Sequence, residues 1–203
     1  MKELRPGLWH WRALRETIGM VVSSYYLERD RVAIDVLIPP EGLEWLERHG
    51  PPEHVLLSNR HHDRDAWRLQ EEFGATVHCP RSGLRELERR GPVEAYEAGA
   101  ELPGGIVAHE VGSLCPDESA LHIPAQRALA CADGVVRWEP EEPLGFVPDS
   151  LMDDPEETKA GLCAAYRRLL ALDFDTLLLA HGDPIVGTGK AALEDFVASA
   201  AAG

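Results

Sequence analysis

The order of apolar and polar positions along the chain predicts alternating strands and helices. In the first third, apolar, β-branched and aromatic residues favour three strands, at 9–11, 20–27 and 32–37. After Pro39 and Pro40, Leu43 and Leu46 stand at helical spacing and predict a helix over 41–49. Strand, helix, strand and helix follow, at 54–58, 66–73, 75–79 and 82–89. This alternation is typical of parallel strands joined by helices.

The pattern of apolar segments is different in the second half of the chain. Its short apolar segments are separated by Gly, Pro or Asp turns and predict an antiparallel run of strands at 93–96, 106–111, 120–123 and 128–132. A loop rich in Pro, Glu and Asp spans 137–155, and Pro155 then favours the first turn of a helix that ends near 172. A strand at 175–180 and a helix at 190–200 complete the pattern. It fits two sheets packed face to face with helices outside, and equally a doubly wound fold.

Length and charge limit the class of protein. The 203 residues fit one domain over 1–203. The net charge of −15 would repel nucleic acid. No apolar run reaches the roughly 18 residues of a membrane span, and the first residues lack the apolar stretch of a signal peptide. We therefore expect a cytoplasmic protein that binds a small-molecule substrate or ligand, with no nucleic-acid or membrane partner. The sequence fixes neither that molecule nor the oligomeric state.

The cysteines do not suggest a structural metal site. No two of them form a C-x-x-C pair, so we predict buried thiols at Cys79, Cys115, Cys131 and Cys163. A nucleophilic role for Cys115 is the less favoured alternative.

Ionisable residues collect where three apolar strands end. The loop 59–65 holds two histidines, two aspartates, two arginines and an asparagine, while Asp133 and His181 each follow an apolar strand. Loops at strand ends often carry functional groups, and a metal ion is one partner that such groups can share. Each residue also has a purely structural explanation: Asp63 can cap the next helix, Asp133 can shape a turn, and His181 can donate to a carbonyl.

The order of these motifs resembles the metallo-β-lactamase superfamily. That family carries T-H-x-H-x-D-H after a strand, then a G-H turn, a bridging Asp and a final His-Gly. Here residues 58–64 (S-N-R-H-H-D-R) stand at the first motif, Asp133 at the bridging position and His181 at the last, while Ala33-Ile34-Asp35 resembles the family's L-I-D strand. The resemblance covers nearly the whole chain. It implies an α/β (α+β) protein with a four-layer αβ/βα sandwich, and hydrolase-like ancestry.

The resemblance also implies an incomplete metal site. Histidines of the family are replaced by Asn59, Arg64 and Ser113. The metal ligands that it leaves are His61, Asp63, Asp133 and His181, of which His61 and Asp63 are also the catalytic candidates. We interpret His62 as a loop residue satisfied by backbone carbonyls, and Glu118 as a less favoured replacement acid or ligand.

Two hypotheses follow. In the first, one divalent ion (zinc, manganese or iron) held by Asp63, Asp133 and His181 supports hydrolysis of an ester, thioester or similar bond, with His61 as a further ligand or a base. In the second, the protein is metal-free and non-catalytic. Arg64 then pairs with Asp63 and Asp133, and the pocket binds a small ligand or a partner. The permanent charge of Arg64 favours the second hypothesis.

Overall fold

The first half of the chain forms a seven-stranded sheet. In the computed structural model, which describes residues 1–200, its strands lie side by side in chain order. They are β1 (Lys2–Arg5), β2 (Leu8–Arg15), β3 (Met20–Leu27), β4 (Val32–Ile34), β5 (His54–Leu56), β6 (Thr76–Pro80) and β7 (Glu94–Tyr96). Strands β1 to β4 pair antiparallel and β4 to β7 pair parallel. Parallel neighbours need crossover connections, and these contain α1 (Leu43–Arg48), α2 (Ala66–Phe73) and α3 (Leu84–Leu87).

The second half forms a five-stranded sheet. Its strands are β8 (Glu101–Leu102), β9 (Ile106–Glu110), β10 (Ser119–Ile123), β11 (Ala128–Cys131) and β12 (Thr176–Leu179), in the spatial order β12-β11-β10-β9-β8. All neighbours are antiparallel except β11 and β12, which are parallel because α4 (Pro155–Leu169) lies in the connection between them. Helix α5 (Gly189–Ala200) ends the described chain.

Three apolar clusters separate four layers. Leu27 and Ile34 of the first sheet pack with Leu121 and Leu178 of the second in the central cluster. The outer face of the first sheet packs on α1 and α2, and that of the second on α4 and α5. The predicted four-layer αβ/βα sandwich is therefore confirmed, and the doubly wound alternative is excluded.

Hydrogen bonds tie the two sheets together at one end. The Tyr25 hydroxyl donates to the Leu179 carbonyl over 2.7 Å, the Ser23 amide donates to the Ala180 carbonyl over 2.9 Å, and the Ser23 hydroxyl donates to the Gly182 carbonyl over 2.7 Å. These bonds hold β3 against the end of β12, so the loops after β5, β11 and β12 open at the same edge of the sandwich.

Several predicted element boundaries were wrong. The strand predicted over 32–37 ends at Ile34, because Asp35 takes a left-handed backbone with φ of 46°. The edge strand β1 and the two-residue β8 were not predicted, since neither has a regular apolar pattern. The helix predicted over 82–89 is shorter, at Leu84–Leu87.

The cysteines and the helices were compared with the predictions of buried thiols and of no membrane span. Cys79, Cys131 and Cys163 are buried and Cys115 is partly buried, all four as free thiols. Within residues 1–200, no helix combines the length and apolar character needed to span a bilayer.

Candidate metal centre

Register places two of the predicted ligands side by side. Strands β11 and β12 run parallel with Cys131 opposite Leu179. Asp133 and His181 each follow two residues later, so they leave the second sheet next to one another. The third contributor comes from the first sheet, where β5 leads into a single 3₁₀ turn, Arg60–His62. Asn59 caps that turn by accepting a hydrogen bond from the His61 amide over 2.9 Å.

The residues that converge are His62, Asp133 and His181. Asp133 Oδ1 lies 3.0 Å from Nε2 of His62 and 3.0 Å from Nε2 of His181. One ligand atom from each of the three residues lies within 4.8 Å of the other two. Tetrahedral ligands on zinc, with bonds of about 2.0–2.1 Å, stand roughly 3.3 Å apart. Small side-chain movements would therefore bring these three atoms to metal-binding distances.

A buried carboxylate holds the far side of the His62 ring. His62 Nδ1 lies 2.9 Å from Asp35 Oδ2 and 2.9 Å from Ser58 Oγ. Asp35 is fixed in turn, because it accepts hydrogen bonds from the Ser58 amide at 2.8 Å and the Ser58 hydroxyl at 2.5 Å. A carboxylate that orients the second nitrogen of a histidine is the usual support for a metal ligand.

Charge in this network is balanced by the histidine when no metal is bound. Burial by itself would lower the pKa of His62, but the carboxylates of Asp133 and Asp35 outweigh it and raise that pKa to about 9. Burial would likewise raise the pKa of Asp133, yet its contacts with His62 and His181 hold that pKa well below the usual range. The metal-free site is thus an imidazolium between two carboxylates.

Asn59 supports Asp133. Its amide nitrogen donates to Asp133 Oδ2 over 3.2 Å, and its side chain is fully buried. One oxygen of Asp133 is therefore held by the first sheet, while the other faces both histidines. Asn59 stands where the family resemblance expected a histidine ligand, and in the structure it orients a ligand candidate.

His61 and Asp63 lie outside the converging set, unlike the sequence-based hypothesis. A 3₁₀ helix turns about 120° per residue, so neighbouring residues on it face different directions. His62 consequently points inward while His61 is exposed. Asp63 is buried elsewhere, where it accepts hydrogen bonds from Trp67 Nε1, Arg90 and Arg15. The two residues missed by the sequence reasoning, His62 and Asp35, had signals in the paired histidines and in the L-I-D-like strand.

The hypothesised pairing of Arg64 with Asp63 and Asp133 is wrong. Arg64 has a left-handed backbone, with φ of 34°, and its Nη1 donates to the main-chain oxygens of Ser23 and Asp35. Its guanidinium thus links the middle of β3 to the residue that follows β4. The metal-free hypothesis loses the ion pairs on which it was based.

Ser113 and Glu118 also have other surroundings than a metal site. The Ser113 hydroxyl donates to the Val111 carbonyl over 3.3 Å and lies beside Gly161 of α4, in a recess separate from the ligand candidates. Glu118 Oε1 accepts the Gly134 amide over 2.7 Å, one residue after Asp133. Burial and the nearby Asp133 raise the pKa of Glu118 to about 8. Through its hydrogen bond to Gly134, Glu118 stabilises the loop that carries Asp133.

A cleft of about 650 Å³ opens over the three residues. Its lining includes His61, His62, Asp133 and His181 beside an apolar wall and several arginines. The apolar part is formed by Ile18, Met20, Val22, Leu87 and Leu151, and the basic part by Arg15, Arg60, Arg64 and Arg90. The cleft has the size of a small-molecule site.

The architecture is that of the metallo-β-lactamases. No family model matches the chain, and no curated protein matches it. Among solved structures it is similar to the DIM-1 metallo-β-lactamase, with 12% identity and a TM-score of 0.72 over 98% of this chain and 96% of that one. It is also similar to the metallo-β-lactamase FIM-1 from Pseudomonas aeruginosa in its mono-zinc form (13%, 0.70, 98% and 94%).

A third similar structure belongs to a different kind of protein. The rubredoxin oxygen:oxidoreductase from the anaerobe Desulfovibrio gigas matches with 13% identity and a TM-score of 0.70, over 98% of this chain and 61% of that one. At such identities the likeness establishes the fold alone. The chain has the metallo-β-lactamase fold, as the motif resemblance implied.

Proposed function

We propose that this protein is a one-metal hydrolase whose ion is held by His62, Asp133 and His181. The observation that carries the proposal is the convergence of two imidazole nitrogens and one carboxylate oxygen, all within 4.8 Å, at the floor of the cleft. Catalytic metal sites commonly use three protein ligands and leave a position open for water or substrate.

The donor set fits a divalent ion. Two histidines and one carboxylate suit zinc in a hydrolase, and also iron or manganese. When bound, such an ion would acidify a water molecule and polarise a carbonyl group. The mono-zinc form named for FIM-1 supports the use of one ion on this fold.

The chain's own residues would prepare the site for this chemistry. Asp35 keeps the proton of neutral His62 on Nδ1, which leaves Nε2 free as a ligand. Asn59 keeps Asp133 Oδ1 turned toward the two histidines. His61 lines the cleft and is exposed, so its imidazole is the candidate to accept a proton from the attacking water or to donate one to the leaving group.

The bond that is hydrolysed is an ester, a thioester or a similar bond. The apolar wall of the cleft would receive the body of the molecule, while the polar floor would receive the bond to be broken.

Two adjacent histidines provide the test. His62→Gln and His61→Gln make the same change at neighbouring positions, and only the first removes a proposed ligand. Protein purified without chelator is loaded with zinc, manganese or iron(II), and metal per chain is measured by elemental analysis. We expect about one ion in the parent chain and in His61→Gln, and a large loss in His62→Gln.

Activity is measured on the same three proteins with a panel of nitrophenyl esters and thioesters. We expect hydrolysis by the loaded parent chain, a lower kcat in His61→Gln with unchanged metal content, and none above background in His62→Gln. Equal metal in both variants, or a parent chain that binds no ion under any loading, would overturn the proposal.

A further inference from the structure

A pair of arginines forms one side of the cleft. Arg15, at the end of β2, and Arg90, after α3, both contact the carboxylate of Asp63. Arg15 Nη2 lies 3.4 Å from Oδ1, and Arg90 Nη1 pairs with Oδ2. One buried carboxylate therefore holds two guanidinium groups at the cleft wall.

Positive charge exceeds negative charge at this wall of the cleft. Asp63 carries one negative charge and faces two positive ones. Arg60, the next arginine along the wall, is already paired with Asp117 and Glu86. A locally positive wall stands out in a chain of net charge −15.

Arg90 has hydrogen-bond donors to spare. A guanidinium offers five N–H groups, and within residues 1–200 that of Arg90 forms its hydrogen bond to the protein through Nη1. Its side chain is 56% exposed, and its guanidinium carbon lies 5.9 Å from the centre of the Trp67 ring. Asp63 and Trp67 thus hold the group in place while its other edge remains open to the cleft.

Arg15 is oriented by a second contact. Its Nη1 donates to the His61 carbonyl over 2.6 Å, which fixes the side chain between the 3₁₀ turn and Asp63. Two guanidinium groups held in this way are preorganised for an oxyanion, since planar N–H pairs match carboxylate and phosphate oxygens.

Apolar side chains line the rest of the opening. Ile18 is 48% exposed and Leu151 is 65% exposed, and both line the same cleft as the arginines. A ligand that satisfies both parts of the lining has an apolar body and an acidic group.

We propose that Arg15 and Arg90 bind the carboxylate or phosphate of an anionic substrate. One part of this inference rests on the proposed function: the reactive bond of the substrate would lie beside His62, Asp133 and His181. Asp63, which the family resemblance implied as a metal ligand, would serve the substrate site by positioning both arginines.

The test uses metal-stripped protein, so that binding is independent of any ion. Benzoate, phenyl phosphate and the neutral benzamide are titrated by calorimetry into the parent chain and into Arg15→Gln, Arg90→Gln and Arg89→Gln. Arg89 is exposed, adjoins Arg90 and does not line the cleft, so its variant makes the same charge change. We expect the acidic probes to bind and the two cleft variants to weaken that binding by about tenfold to a hundredfold, with Arg89→Gln like the parent.

The results separate this inference from the proposed function. Benzamide binding as tightly as benzoate, an equal loss in Arg89→Gln, or no binding of either anion to the parent chain would overturn the arginine site while leaving the metal assay unaffected. Conversely, arginine-dependent anion binding by a chain that takes up no metal would retain this inference and reject the hydrolase. A preference between benzoate and phenyl phosphate identifies the acidic group.

Discussion

His62 links two carboxylates through its two ring nitrogens. Nδ1 faces Asp35 and Nε2 faces Asp133, at 2.9 and 3.0 Å, in a place where the ring is 3% exposed. A proton and a metal ion would compete for Nε2, because a metal ligand must be deprotonated. The state of this residue therefore decides both metal uptake and the stability of the metal-free protein.

Stability of the metal-free protein should fall as the pH rises. The pKa of His62 is raised from 6.5 to about 9, so its contribution is fully present below about 6.5 and is lost as the pH rises through about 9. Urea unfolding of metal-stripped protein from about pH 6 to about pH 10 measures this loss. His62→Gln should show a flatter profile over that range. A parallel decline in both proteins would contradict the assignment.

Asp35 should affect metal affinity although it is not itself a proposed ligand. Asp35→Asn removes the charge that orients His62, and loss of such a partner typically lowers metal affinity about 10- to 100-fold. Competition with a chelating dye measures the affinity. Asp65→Asn is the control, because Asp65 accepts the Ile38 amide over 2.7 Å and makes no hydrogen bond to His62 within residues 1–200. Equal affinities in the two variants would show that Asp35 only stabilises the fold.

At the scale of the elements, the turn after β12 determines where His181 stands. Gly182 has φ of 102°, and a Cβ added to it would lie 1.8 Å from the Arg137 carbonyl oxygen. The Arg137 amide in turn donates to the His181 carbonyl over 3.2 Å. The residue after the ligand candidate must therefore be glycine for the two segments to pack.

Gly182→Ala should accordingly damage both the fold and the site. We expect a loss of about 2–4 kcal/mol in the free energy of unfolding, together with loss of metal, because backbone rather than a flexible side chain must move. Gly187→Ala is the matched control: its φ is 83° but no atom lies within 4 Å of the added Cβ. Backbone strain should cost that variant only about 1–2 kcal/mol. Chemical denaturation compares the two, and similar losses would argue against the close approach.

Strand patterns allowed much of this arrangement to be predicted from the sequence. The apolar segments at 128–132 and 175–180 place Asp133 and His181 at strand ends, and parallel pairing then brings them together. The choice between His61 and His62 could not be made in that way, because it depends on the orientation of a single 3₁₀ turn. The hydrogen-bond partners of Arg64 could not be predicted from the sequence either, because they are main-chain oxygens of β3 and of the residue after β4.

At the scale of the whole molecule, the ligand candidates come from both sheets. His62 follows β5 of the first sheet, while Asp133 and His181 follow β11 and β12 of the second. An ion bound by all three would link the two halves of the sandwich. Because the unfolded chain would not hold these residues together, metal binding should stabilise the folded state.

Zinc should therefore raise the melting temperature. At a free concentration 100 times the Kd, binding contributes about 2.7 kcal/mol, which for a chain of this length corresponds to roughly 5–11 °C. Differential scanning fluorimetry with and without zinc measures the shift. His61→Gln should shift like the parent chain and His62→Gln should not shift. Shifts of equal size in both would place the ion somewhere else.

The buried thiols determine how such titrations can be performed. Thiol reductants are themselves zinc ligands and distort a measured affinity. Burial raises the pKa of all four cysteines, and it is the thiolate that oxidises and coordinates metal. We therefore expect slow oxidation of the thiols in air, so that zinc can be titrated without dithiothreitol. Within residues 1–200 the group of possible metal ligands contains no cysteine, so the ions counted in that buffer are expected on imidazole and carboxylate.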